Sequence, residues 1–123
     1  MKKILIIDDE ENIRKMYGLL LRAEGFKTAE VGSFLEAKES LAKKDIGLVL
    51  LDIDLPDAEG ATAHHFIRKF DDQIKVIVSS IYSLREQRLM IPNADDYFEK
   101  VAGTEVLLEK VNRILVTKNA KQG

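Results

Sequence analysis

The stretch Leu48 to Gly60, LVLLDIDLPDAEG, restricts this chain more than any other. Its aliphatic run, Leu48-Val49-Leu50-Leu51, lacks the apolar/polar alternation of a half-exposed strand. A strand that is apolar on both faces belongs in the middle of a parallel sheet, with helices packed above and below it. Asp52 ends the run, and Pro56 and Gly60 break the segment after it. In open α/β sheets ligands bind at the carboxyl ends of the strands, so Asp52 stands at the reactive edge.

The same design recurs. Lys3 to Ile7 is an aliphatic run that stops at Asp8-Asp9, Ile74 to Ser79 closes in the hydroxyls Ser79-Ser80, and Ala94 to Phe98 leads to Lys100. Phe26 to Val31 is a further short strand. Helical spacing fills the intervals. Ile13, Met16, Tyr17, Leu20 and Leu21 predict a helix over Glu10 to Glu24, stopped by Gly25. Ser33 with Glu36 predicts a capping box opening a helix that runs to about Lys43. Ala63, Phe66, Ile67 and Phe70 make the buried stripe of a helix over Ala61 to Phe70. A short helix from Ser83 to Met90 is cut off by Pro92, and Leu107, Val111 and Ile114 share one face of a last helix over Thr104 to Val116. Five strands alternating with five helices through short connections describe a doubly wound parallel α/β sheet.

A chain of 123 residues holds one such domain, and residues 118 to 123 predict a flexible polar C-terminal tail. A net charge of −2, from 21 acidic and 19 basic residues, leaves no footprint for nucleic acid or an anionic membrane. The absence of cysteine excludes disulfides and thiolate metal sites, and the opening MKKILII is too short for a signal peptide, so a cytoplasmic location is expected. Neither a GxxxxGK[ST] loop nor a Gly-rich dinucleotide fingerprint is present.

In a parallel sheet the carboxyl ends share one edge, so Asp8, Asp9, Asp52, Ser79-Ser80 and Lys100 are expected to converge. Carboxylates about 4 Å apart repel by roughly 4 kcal/mol per pair at an effective dielectric constant near 20. Positive charge must offset this. Lys100 supplies one unit, and Mg²⁺ suits the remainder because it takes a few oxygen ligands and accepts phosphate oxygens. Asp52 is then a candidate nucleophile able to form an aspartyl-phosphate, with Lys100 and a hydroxyl from Ser80, or its rival Ser79, stabilising the transferring oxygens. Singly, an acid after a strand is more often a helix cap or a solvated loop residue, and Asp9 has that reading too. The joint pattern over four strand ends is what points to phosphoryl chemistry. His64 and His65 are adjacent and diverge by about 100° on a helix, so they do not jointly ligate a metal. Asp95-Asp96 read as a turn into the last strand.

The segments ILIIDDEENIR, LVLLDIDLPDAEG, VIVSS and ADDYFEK resemble, in order and spacing, the receiver domain of two-component response regulators, over about Lys2 to Val116. The resemblance implies a receiver domain over residues 1 to 117 with a flavodoxin-like five-stranded parallel sheet of order 2-1-3-4-5 and five helices. It implies that Asp52 accepts a phosphoryl group from a phosphohistidine on a sensor histidine kinase or a histidine phosphotransfer protein. Mg²⁺ would be held by Asp9 directly, Asp8 mainly through water, Asp52, and the backbone carbonyl of Asp54. Ser80 and Lys100 would assist the transfer, and Ser80 and Tyr97 would form the switch that reports it to the face of the fourth helix, fifth strand and fifth helix. A downstream protein, a phosphorelay partner or a dimer would use that face. Such a domain is a signalling phosphoacceptor with limited self-catalysed phosphotransfer and dephosphorylation, not a multiple-turnover enzyme, and here it is expected to stand alone, without a DNA-binding or membrane domain. Three positions depart from the family pattern: Val101 replaces the usual proline after the lysine, Ile81 replaces a small residue after the hydroxyl, and Pro92-Asn93 occupies a slightly short fourth-helix segment.

Two other readings remain. Asp52-Ile53-Asp54 also matches the DxD of a phosphatase resembling the haloacid dehalogenase superfamily, with Asp52 as nucleophile and Asp54 as general acid, although that reading gives Asp8-Asp9 no purpose. A receiver-like domain that no longer accepts phosphate is the third.

Overall fold

The computed structural model describes residues 2–117; the expected tail over 118 to 123 lies outside the described residues. The elements are β1 (Lys3–Ile7), α1 (Glu11–Ala23), β2 (Thr28–Val31), α2 (Phe34–Leu41), β3 (Ile46–Asp52), α3 (Gly60–Phe70), β4 (Lys75–Ser80), α4 (Leu84–Met90), β5 (Asp96–Glu99) and α5 (Thr104–Asn112). A 3₁₀ turn, Lys100–Ala102, precedes α5, and a π-type stretch, Arg113–Thr117, replaces the final turns of the expected last helix. The strands form one parallel sheet in the order β2-β1-β3-β4-β5.

The unalternating aliphatic runs are explained by two cores. Ile4, Ile6, Leu48, Leu50, Ile77 and Phe98 face α1 and α5, where Tyr17, Leu21, Leu107 and Val111 close over them. Leu5, Ile7, Val49, Leu51, Val76 and Val78 face the other layer and pack on Ala37, Leu41, Ala63 and Ile67. Successive residues of a strand point to opposite faces, so covering both faces requires an apolar residue at every position.

Local signals decide the ends. Gly25, at φ +93°, stops α1 in a conformation that costs glycine nothing. Gly60 begins α3 so close to the residue that follows β3 that a Cβ there would lie 2.8 Å from the Ile53 Cα. Met90 ends α4 two residues before Pro92. Several expectations are corrected. α1 turns Tyr17, Gly18 and Leu21 inward, leaving Met16 44% exposed, and Phe70 is 38% exposed because it stacks on Phe66 at the layer's margin. The box at Ser33 is half formed: its hydroxyl accepts from the Glu36 N–H, but Glu36 Oε1 accepts from the Gly32 N–H, one residue earlier than a capping box requires. The complete box lies on α4, between Ser83 and Glu86.

Candidate functional site

Strand register brings the polar ends to one rim. Ile7 pairs with Leu51, so Asp8 and Asp52 leave adjacent strands at the same level, and Asp52 pairs with Ser79 on β4. Ser80 pairs with Glu99, which places Lys100 one step past the end of β5. Oxygens of Asp8, Asp9 and Asp52 all lie within 4.8 Å of one another. Lys100 Nζ is 2.8 Å from Asp8 Oδ2 and 3.6 Å from Asp52 Oδ2. Asp9, Asp52, Asp54, Ser80, Ile81 and Lys100 line a cleft of about 190 Å³ here, together with Glu10. A larger cavity, about 540 Å³, lies at the opposite end of the sheet and contains no carboxylate in its lining.

Each group is held locally. The Asp8 N–H donates to the Val31 carbonyl at 3.1 Å, its Oδ1 accepts from the Glu10 N–H at 2.9 Å, and its carbonyl accepts from Arg14 Nη1 at 2.7 Å. With Oδ2 on Lys100, both carboxylate oxygens of Asp8 are engaged. Asp9 is exposed and does not cap α1, whose N-cap is Glu10 without a side-chain bond, so its carboxylate is available to the cleft. Asp52 Oδ1 accepts from the Asp54 N–H at 3.3 Å, and a bridge between Asp54 and Glu59 closes that loop.

Burial is the main force on Asp52. It raises the carboxyl to about 7, and the neighbouring Asp8 charge adds to this while Lys100 opposes it. Burial alone would lower the Lys100 ammonium, but its contact with Asp8 and the charges of Asp52 and Asp8 outweigh that, and its pKa is raised. A carboxylate set so reluctant to carry all its charge, built of hard oxygens and open on one side, fits a small divalent cation such as Mg²⁺.

Ser80 lines the cleft, whereas Ser79 turns the other way along the strand, buried, with its hydroxyl unpartnered among the described residues. Ser80 Oγ accepts from the Tyr82 N–H at 3.1 Å. Tyr97 is buried, and its hydroxyl donates to the Ile91 carbonyl at 2.6 Å and accepts from the Ala94 N–H at 3.1 Å. Ile81, 70% exposed, lines the cleft, Val101 is 79% exposed, and Lys100 is seated by its ion pairs with valine following it. His64 lies on the buried side of α3, and burial lowers its pKa; His65 is exposed. Asp95 accepts from the Val76 N–H and pairs with Arg68, while Asp96 opens β5.

Three supporting residues escaped the sequence. Asp57 accepts the Phe34 and Leu35 N–H groups at the start of α2, Glu99 accepts the Leu84 N–H at the start of α4, and Gln87 bonds two carbonyls from inside α4. Only Asp57, beside Pro56 in a turn, carried a local signal of such use.

Residues 4–112 match the family model described as the response regulator receiver domain. The chemotaxis protein CheY of Bacillus subtilis is 30% identical over 118 residues, covering 92% of this chain and 97% of that one. The response regulator protein TrrA of Thermotoga maritima, solved in complex with Mg²⁺-BeF, superposes with a TM-score of 0.85 at 34% identity, covering 94% of this chain and all of the other. TrrA solved in complex with the histidine kinase ThkA gives a TM-score of 0.82 at 32% identity, covering 94% of this chain and 99% of that chain. The chain spans 17%, 49% and 65% of the length of three further curated relatives that it matches. No helix among the described residues is long and apolar enough to cross a membrane. An order 2-1-3-4-5 parallel sheet, acids and a lysine gathered at its carboxyl edge, and a family match over 109 of 123 residues (from 4 to 112) lead to one conclusion: this chain belongs to the response regulator receiver domain family, not to the dehalogenase-type phosphatases.

Proposed function

We propose that Asp52 is the phosphoacceptor of a cytoplasmic receiver unit over residues 1 to 117. The donor is a phosphohistidine on a sensor histidine kinase or a histidine phosphotransfer protein. An Asp52 carboxylate oxygen attacks phosphorus, the O–P bond forms as the N–P bond breaks, and the departing imidazole keeps the electron pair. Water later hydrolyses the acyl phosphate, so the chemistry is limited to one group gained and lost. Asp9, Asp52 and the Asp54 backbone carbonyl would hold Mg²⁺ directly. Asp8, with both oxygens already engaged by Lys100 and the Glu10 N–H, would act through water. When bound, the cation neutralises charge on the phosphoryl oxygens. Lys100 pairs with one of those oxygens and the Ser80 hydroxyl donates to another.

The observation that carries this reading is the approach of Lys100 Nζ to Asp8 and Asp52, 2.8 and 3.6 Å, beside the oxygen cluster of Asp8, Asp9 and Asp52. The Thermotoga relative, solved with Mg²⁺-BeF and with a histidine kinase, supports both the metal and the class of donor. Turning Ser80 toward the phosphoryl group biases a two-state equilibrium, and Tyr97 carries the change to the α4–β5–α5 face, where a downstream protein, a relay partner or a second copy docks.

The test is incubation with Mg²⁺ and acetyl phosphate, with mass spectrometry as the readout. Wild type gains one phosphoryl group and Asp52→Asn gains none. Equal labelling of Asp52→Asn would remove the assigned acceptor.

A further inference from the structure

The sheet-facing side of α4 carries a polar residue where an amphipathic helix ordinarily places an apolar one. Gln87 is 0% exposed. Its Nε2 donates to the Tyr82 carbonyl at 2.8 Å and to the Phe98 carbonyl at 3.0 Å, and its Oε1 has no partner among the described residues. One side-chain amide therefore joins the β4–α4 loop to β5. The loop it grips is the one that holds Ser80, because the Tyr82 N–H donates to Ser80 Oγ at 3.1 Å. Glu99 secures the same corner from β5 by accepting the Leu84 N–H at 2.9 Å.

We propose that Gln87 is a positioning residue: by fixing the Tyr82 carbonyl against β5, it holds Ser80 where its Oγ accepts from the Tyr82 N–H and restrains phosphoryl transfer to Asp52. The inference rests on the reading of Ser80 as a donor to the phosphoryl group. A shift of Ser80 Oγ toward Asp52 stretches its bond from the Tyr82 N–H unless the loop moves with it. The loop follows more easily when Gln87 releases the Tyr82 carbonyl. The bond to Tyr82 thus opposes that shift, and the bond to Phe98 holds the amide in place to make it. The orphaned Oε1 points the same way. A buried unpaired amide oxygen costs folding free energy that an apolar side chain of equal length does not, so the residue is poorly explained by stability alone.

The experiment compares autophosphorylation by acetyl phosphate and Mg²⁺ in wild type, Gln87→Met, Ser80→Ala and the double variant. Gln87→Met preserves length and volume, and Gln87→Leu serves if it does not fold. Gln87→Met is expected to be phosphorylated about tenfold faster than wild type, the factor that one or two hydrogen bonds of ordinary net strength correspond to. In the Ser80→Ala background the same substitution changes nothing, an outcome a merely structural role would not produce. Amide exchange at Tyr82, measured without phosphodonor, is faster in Gln87→Met. A folded variant with unchanged or slower phosphorylation, an equal acceleration in the Ser80→Ala background, or unaltered Tyr82 exchange overturns the proposal. Failure of wild type to accept phosphate at Asp52 shows up separately, as loss of the underlying reading, and this inference falls with it.

Discussion

Lys100 Nζ lies 2.8 Å from Asp8 Oδ2, with the two side chains only 10% and 3% exposed. An ion pair this well enclosed is hard to break from one side, because the partner left behind keeps its charge without water or a counter-charge. Lys100→Met should therefore lower the unfolding free energy by about 3 kcal/mol at pH 8 in the absence of metal. The loss is smaller at pH 6, where the neighbouring Asp52 is protonated. Urea denaturation at the two pH values measures it, and an unchanged midpoint at pH 8 would show that the pair contributes nothing net.

Asp52 sets a pH dependence of unusual sign for a carboxylate. Its folded pKa, about 7, lies above the ordinary value of 3.8, so folding takes up a proton between those limits. The contribution of Asp52 is most favourable below pH 4, falls as pH rises through 7, and is constant beyond. Asp52→Asn removes the dependence, so the variant's stability advantage over metal-free wild type should grow from pH 5 to pH 7.5 and then level off. Binding of Mg²⁺ needs the ionised carboxylate, and its affinity for wild type should weaken by up to about tenfold per pH unit below 7. Calorimetric titration of Mg²⁺ at pH 6 and pH 8 tests the second statement; equal affinities would contradict it.

Tyr97 anchors the end of α4 through one oxygen, donating to the Ile91 carbonyl and accepting from the Ala94 N–H. Tyr97→Phe keeps the ring but leaves both backbone groups without this partner. A loss of about 1–2 kcal/mol is expected. Amide exchange around Ile91 and Ala94 should accelerate while β1 and β3 stay protected, and uniform acceleration across the sheet would point to a global effect instead.

Asp57 reaches across from the loop after β3 to the first two N–H groups of α2. Those bonds lower its pKa, the Phe34 bond first, so its support is present above pH 4 and is lost as pH falls through the lowered folded value. Asp57→Ala should reduce the urea midpoint at pH 7 and fray α2, while Asp57→Asn, which keeps one acceptor oxygen, retains part of the support. Chemical shifts of the Phe34 and Leu35 amides are the direct readout; identical shifts in Asp57→Ala would remove the cap.

Much of this molecule is legible one segment at a time. LVLLD and ILIIDD identify buried parallel strands because only a sheet covered on both faces asks for an apolar residue at every position, and an acid directly after such a run falls at the ligand-binding edge of the sheet. The helices are evident from apolar spacing, and their ends from Gly25, Ser83 and Pro92. Helix faces are less legible, since spacing identifies a stripe but not its width: Met16 and Phe70 fit the pattern, yet both sit at its exposed margin.

The layers, the direction of the strands and the residues that could carry chemistry are thus readable from local pattern, because each depends on neighbours within a few positions. Folding settles the choice between Ser80 and its rival Ser79, since Ser80 lines the cleft, and it alone reveals that Lys100 pairs with Asp8 more closely than with Asp52 and that Gln87 on α4 is sealed from solvent. Those outcomes depend on which residues from remote segments share a register and how much water is left between them. Hydrogen bonds and charge interactions are decided at that range, where separation along the chain says nothing about separation in space.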